Sequence, residues 1–76
     1  MLKPVQCRAA RTLIGIHQPA LAREARISLR TLIDFERGRR RPQSATLQAI
    51  TAALDRLGVE QIENEAGLGV LLRARS

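Results

Sequence analysis

At 76 residues the chain can form one domain around one core, and domains of about this size bury only roughly 60% of their unfolded surface, too little to wall a large catalytic cleft. Hydrophobic residues make up 45% of it and aromatic residues 1%, which predicts a core of Leu, Ile, Val and Ala packed between helices. The net charge of +6 is lopsided: residues 1–43 carry ten Lys or Arg against three acids and residues 44–76 three against four, so the basic field belongs to the N-terminal part and suits a polyanionic partner, with a solvated charged face as the plainer reading.

A first helix is predicted from Pro4 to Ile14, with Gly15 as its left-handed stop. Cys7, Ala10, Arg11 and Ile14 recur at helical spacing, so Arg11 lies on or beside the inward stripe and needs a partner. Cys7 reads as a small buried apolar residue. A second helix spans Gln18 to Ala25, with His17 as a mediocre N-cap and Pro19 tolerated in the first turn. Arg26, Ile27 and Ser28 then form a turn. Ser28 is a strong N-cap for a third helix, Leu29 to Arg37, which Gly38 ends. After the polar loop GRRRPQS a fourth helix begins behind Ser44, runs through ATLQAITAALDRL and stops at Gly58, with Leu47, Ile50, Leu54 and Leu57 on its apolar face. Beyond it VEQIE and VLL are β-prone runs separated by NEAGLG, which reads as a turn. Runs this short cannot stand as an isolated hairpin and must pack on their own domain or on another subunit. The expected fold is mainly α: four helices in residues 1–58, then a β-strand extension, 59–76, that is a candidate dimerisation element.

The break between the second and third helices has a geometric meaning. Two short helices joined by a tight turn make a helix-turn-helix, whose second helix enters the DNA major groove. Ala22 suits the crossing point, Leu21, Ala25, Ile27, Leu32 and Phe35 supply the apolar seam, and Leu29, Arg30, Ile33 and Asp34 are left facing outward. The segment QPALAREARISLRTLIDFERG, preceded by RTLIG and followed by RP and an amphipathic helix, closely resembles the lambda-repressor and Cro-like helix-turn-helix family, the XRE-type regulators, over roughly residues 4–58.

The resemblance implies that Gln18 touches a phosphate and helps orient base-reading side chains. It also implies that Leu29, Arg30, Ile33 or Asp34 contact bases, that Ser28 and Thr31 lie near the DNA backbone, and that Arg11 pairs with Glu36. Two residues depart from the family pattern. His17 stands where Ser, Thr or Asn is usual, and Arg26 stands where Gly is common, so Arg26 must accept a left-handed backbone at a cost of about 1 kcal/mol, which a phosphate contact could offset.

On the outward face Arg30 can read guanine O6 and N7 as a bidentate pair, while Asp34 either accepts from a cytosine amino group or holds Arg30 one turn away. Arg37, Arg39 and Arg40, directly after the recognition helix, are expected to meet phosphates, and Arg41 reaches a groove or nothing. One His and one Cys allow neither an internal disulfide nor a metal-ligand set, and no nucleophile-base constellation or Gly-rich phosphate loop is present, so neither a cofactor nor an enzymatic activity is expected. No apolar run nears the ~20 residues that span a bilayer and the N-terminus lacks a signal-like apolar stretch, so a cytoplasmic protein without a membrane partner is expected. RNA binding is disfavoured for want of an aromatic stacking platform. The expected function is sequence-specific binding of double-stranded DNA by a transcriptional repressor, as a homodimer on a pseudo-palindromic operator. The alternative is an antitoxin-type DNA-binding protein that also holds a toxin or regulatory protein.

Overall fold

The computed structural model describes residues 1–39 and 41–74 and sets four helices before one hairpin: α1 (Pro4–Ile14), α2 (Gln18–Ala25), α3 (Leu29–Glu36), α4 (Ser44–Arg56), β1 (Val59–Asn64) and β2 (Gly67–Leu72). The helix ends follow local chemistry. Gly15 closes α1 at φ +73°, and the N–H of Ile16 returns to the Arg11 carbonyl at 3.0 Å. His17 precedes α2 without any side-chain capping bond. Arg26 ends α2 in the left-handed region, φ +58° and ψ +42°, where its N–H meets the Arg23 carbonyl at 3.1 Å and the N–H of Ile27 meets the Ala22 carbonyl at 3.0 Å. These paired bonds satisfy the last carbonyls of α2 and hold the turn tight.

Some boundaries differ from the sequence expectation. α3 stops at Glu36, one residue early, with Arg37 as its C-cap at ψ −5°. α4 begins at Ser44 and ends at Arg56, because the Gln43 carbonyl accepts from Leu47 N–H at 3.1 Å and thus makes Gln43 the cap, while the N–H of Gly58 tightens the last turn onto Asp55. The hairpin departs furthest. Asn64 belongs to β1 and Gly67 to Gly69 belong to β2, leaving only Glu65 and Ala66 as the turn. The turn shortens because the Asn64 side chain accepts from Ala66 N–H at 2.8 Å, a local bond that Asn readily makes, and because Gly67 leaves it at φ +141°.

The strands are antiparallel, with Val59 opposite Leu72, Gln61 opposite Val70 and Ile62 opposite Gly69. The core between the helices is sealed by Cys7, Leu21, Leu32 and Ile50, with Ala22 and Ala25 buried on α2. Val59 joins the same core and Val70 packs against it, so one face of the hairpin rests on α1 and α4 of its own chain. Gln6 fastens that contact. Its Oε1 accepts from Lys3 N–H at 2.9 Å, and its Nε2 donates to the carbonyls of Ile62 and Gly69 at 3.0 and 3.1 Å.

Candidate nucleic-acid interface

The position of α3 is fixed at both ends. At its start Ser28 Oγ accepts from Thr31 N–H at 3.0 Å and lies 2.7 Å from Thr31 Oγ1, which satisfies one of the helix's open donors. At its far end Glu36, only 2% exposed, accepts four side-chain hydrogen bonds from three residues on its carboxylate. Arg11 binds it bidentately, Nε to Oε2 and Nη2 to Oε1, both at 2.7 Å. Gln18 Nε2 donates to Oε1 at 2.9 Å and Cys7 Sγ to Oε2 at 3.0 Å. Burial by itself pushes the Glu36 carboxyl up, but the hydrogen bonds from Arg11, Cys7 and Gln18 outweigh it and hold the carboxyl below the usual glutamate range. The same burial, with the neighbouring carboxylate, pushes the Cys7 thiol far up, so it serves as a neutral donor. Arg8 adds a bond to the Glu36 carbonyl, the last of α3.

With Leu32, Phe35 and Glu36 turned inward, α3 presents its other face to solvent. Leu29 and Arg30 are exposed there and Ile33 and Asp34 are half-buried beside them. Arg30 Nε lies 3.4 Å from Asp34 Oδ2, one turn along, so Asp34 restrains the arginine. Thr31 is half-buried against the Ser28 cap. Arg37 and Arg39 are exposed just past the helix, where Arg39 N–H returns to the Asp34 carbonyl at 3.0 Å. Arg40 lies outside the described residues. Gln18 stands at the first position of α2 and is half-buried. Its amide is engaged by Glu36, and its backbone N–H has no acceptor among the described residues.

Sequence reasoning thus reaches the Arg11–Glu36 pair, but misses its companions Cys7 and Arg8 and, on another face of α1, the bridging role of Gln6. Cys7 was read only as apolar filler, although at three residues before Ala10 and four before Arg11 it shares their face. Arg8 carried no signal apart from lying one turn before Arg11. Gln6 had none, since its acceptors lie 56 and 63 residues away.

Two short helices joined by a tight turn, with the second anchored at both ends and its outer face turned to solvent, define a DNA-binding helix-turn-helix. The sequence profile of the helix-turn-helix family HTH_3 matches residues 8–62, and the chain belongs to that family, of the lambda-repressor-like, XRE type. No curated protein matches the chain. Among the described residues no helix is long and apolar enough to cross a membrane.

Proposed function

We propose that this chain is a sequence-specific regulator of transcription that reads the major groove of double-stranded DNA with α3 and represses by occupying its operator. One observation carries the reading: the outward face of α3 combines apolar and bidentate-capable side chains on a helix whose orientation is locked from within. Leu29 and Ile33 suit thymine methyl groups, Arg30 suits guanine, and Asp34 either steadies Arg30 or accepts from cytosine. Ser28, Thr31, Gln18, Arg37, Arg39 and Arg40 are the phosphate-side residues of this reading, with the Gln18 contribution coming from its backbone N–H. A single module of this size spans few base pairs, so a pair of chains on a pseudo-palindromic operator, with half-sites about 34 Å apart, supplies the missing specificity.

Selection of bound duplexes from a random pool, followed by footprinting of the enriched sequence, tests the proposal. A short two-fold-symmetric site protected over two half-turns supports it. Binding that ranks all duplexes alike sinks it, because a basic surface alone gives only salt-dependent, sequence-blind affinity.

A further inference from the structure

Between the end of α2 and the C-terminal half of α4 lies an open cleft of about 650 Å³, within the roughly 300–1,000 Å³ of small-molecule sites. Ala49 and Ala52, one turn apart on α4, line it and leave room that larger side chains would fill. The rest of its lining is charged, with Arg23, Arg26 and Arg56 against one acid, Glu24. None of the outward residues of α3 lines it, so the cleft and the reading face are separate surfaces.

Arg56 is set in place from α2. Its Nε lies 3.3 Å from Glu24 Oε1 and its Nη2 donates to the Glu24 carbonyl at 2.7 Å, which leaves the Nη1 donors unused among the described residues. Arg23 and Arg26 have no carboxylate within ion-pair distance among the described residues, so the cleft holds two positive charges in excess. A helix C-terminus ordinarily repels an anion through its open carbonyls. Here the N–H groups of Ile27 and Arg26 occupy the carbonyls of Ala22 and Arg23, and Arg56 occupies that of Glu24. Arg26 adds an independent sign. It is the sole non-glycine residue at positive φ among the described residues, +58°, where glycine would sit without strain. Strain of this kind gathers at functional positions, and the strained residue is the one that brings a guanidinium from the turn to this cleft.

We propose that the cleft binds a small molecule by its phosphate group, held between Arg23 and Arg26 with Arg56 closing from α4. Guanidinium forks match phosphate oxygens, and a phosphate group of nearly two negative charges at pH 7 matches the excess of two. The one aromatic residue of the chain, Phe35, is buried in the core, so no ring stacks on a base and recognition rests on the phosphate rather than on a nucleobase. The bound group ties α2 to α4 and steadies the turn two residues ahead of the Ser28 cap, through which the ligand reaches α3.

Nuclear magnetic resonance of the full chain, titrated with inorganic phosphate at constant ionic strength against a chloride control, tests the site without DNA. Phosphate should shift the amides of Arg23, Arg26, Ala49, Ala52 and Arg56 along one saturating curve, and chloride should not. Arg26→Gly relieves the strained turn and keeps the fold, yet should weaken phosphate binding about tenfold, the loss of one charge-assisted hydrogen bond. Arg39→Ala, beyond α3, should bind phosphate as the parent does. Shifts that grow without saturating, that chloride reproduces, or that centre on Arg30, Arg37 and Arg39 mean an adventitious ion only and overturn the inference, as does an Arg26→Gly variant that binds phosphate undiminished. A duplex carries the same phosphate chemistry, and a last arm separates the two sources: a short duplex added to the phosphate-saturated chain should leave the cleft amides at their phosphate-bound positions. Their displacement assigns the cleft to the DNA backbone and overturns the small-molecule ligand.

Discussion

The helical part and the hairpin of this small protein solve opposite problems. The helices close on themselves, and even the buried carboxylate of Glu36 has a donor on each side. The hairpin closes on one face only, burying Val59 and packing Val70 while leaving four large apolar side chains, Ile62, Leu68, Leu71 and Leu72, at 37% exposure or more. One region is internally complete and turns its chemistry outward through α3. The other leaves an apolar edge uncovered.

The contrast breaks most severely if the helical part loses its hub. Arg11→Ala leaves Glu36 buried with only neutral donors and should cost on the order of 3 kcal/mol, read as a fall in the thermal or urea midpoint. A midpoint within experimental error of the parent would mean that the pair contributes nothing. Acid probes the same hub without mutation. Because Glu36 is held below its ordinary value of about 4.3, its contribution is complete above that pH and is lost as pH falls through the lower, folded value. Glu36→Gln should therefore flatten the decline of stability below about pH 4 relative to the parent.

Changes on the outer face of α3 should spare the fold and alter only recognition. Arg30→Ala should lose about 1–3 kcal/mol of binding and relax preference at one base position, whereas Arg39→Ala should weaken all duplexes alike and lower the salt slope by about 1. An unchanged ratio of specific to random binding in Arg30→Ala would displace α3 from the groove. A smaller change separates the two regions themselves. Gln6→Ala removes the bridge from α1 to the strands and should cost about 1 kcal/mol, with amide exchange quickening in β1 and β2 but not in α2 and α3. Uniform quickening would make the molecule one cooperative unit. Smallest, and of opposite sign, Arg26→Gly should stabilise the fold by up to about 1 kcal/mol by relieving the left-handed turn. If it also weakens binding to every duplex equally, Arg26 touches the DNA backbone.

Legibility in the sequence tracks how local each determinant is. The starts of α1, α2 and α3 are readable because Pro4, Pro19 and Ser28 act within one turn of themselves, and Gly15 and Arg26 mark left-handed stops. Arg11 announced itself by standing on an apolar stripe, and the family resemblance supplied Glu36 as its partner. Gln6 could not be read, because its acceptors become neighbours only after the hairpin folds back across α1. The hairpin turn was overestimated because glycines ordinarily signal turns, whereas Gly67 and Gly69 here stand inside β2.

The double anchoring of α3 also governs how the protein would arrive at DNA. A helix of eight residues has little stability of its own, so its order comes from the Ser28 cap and the Glu36 hub and exists before any partner is met. Association then freezes few backbone torsions of the reading helix and proceeds as a docking of preformed shapes. With so little to rearrange, the encounter itself becomes the slow event. Its rate should be set by the attraction between a chain of net charge +6 and a polyanion, falling steeply as added salt shortens the reach of that field.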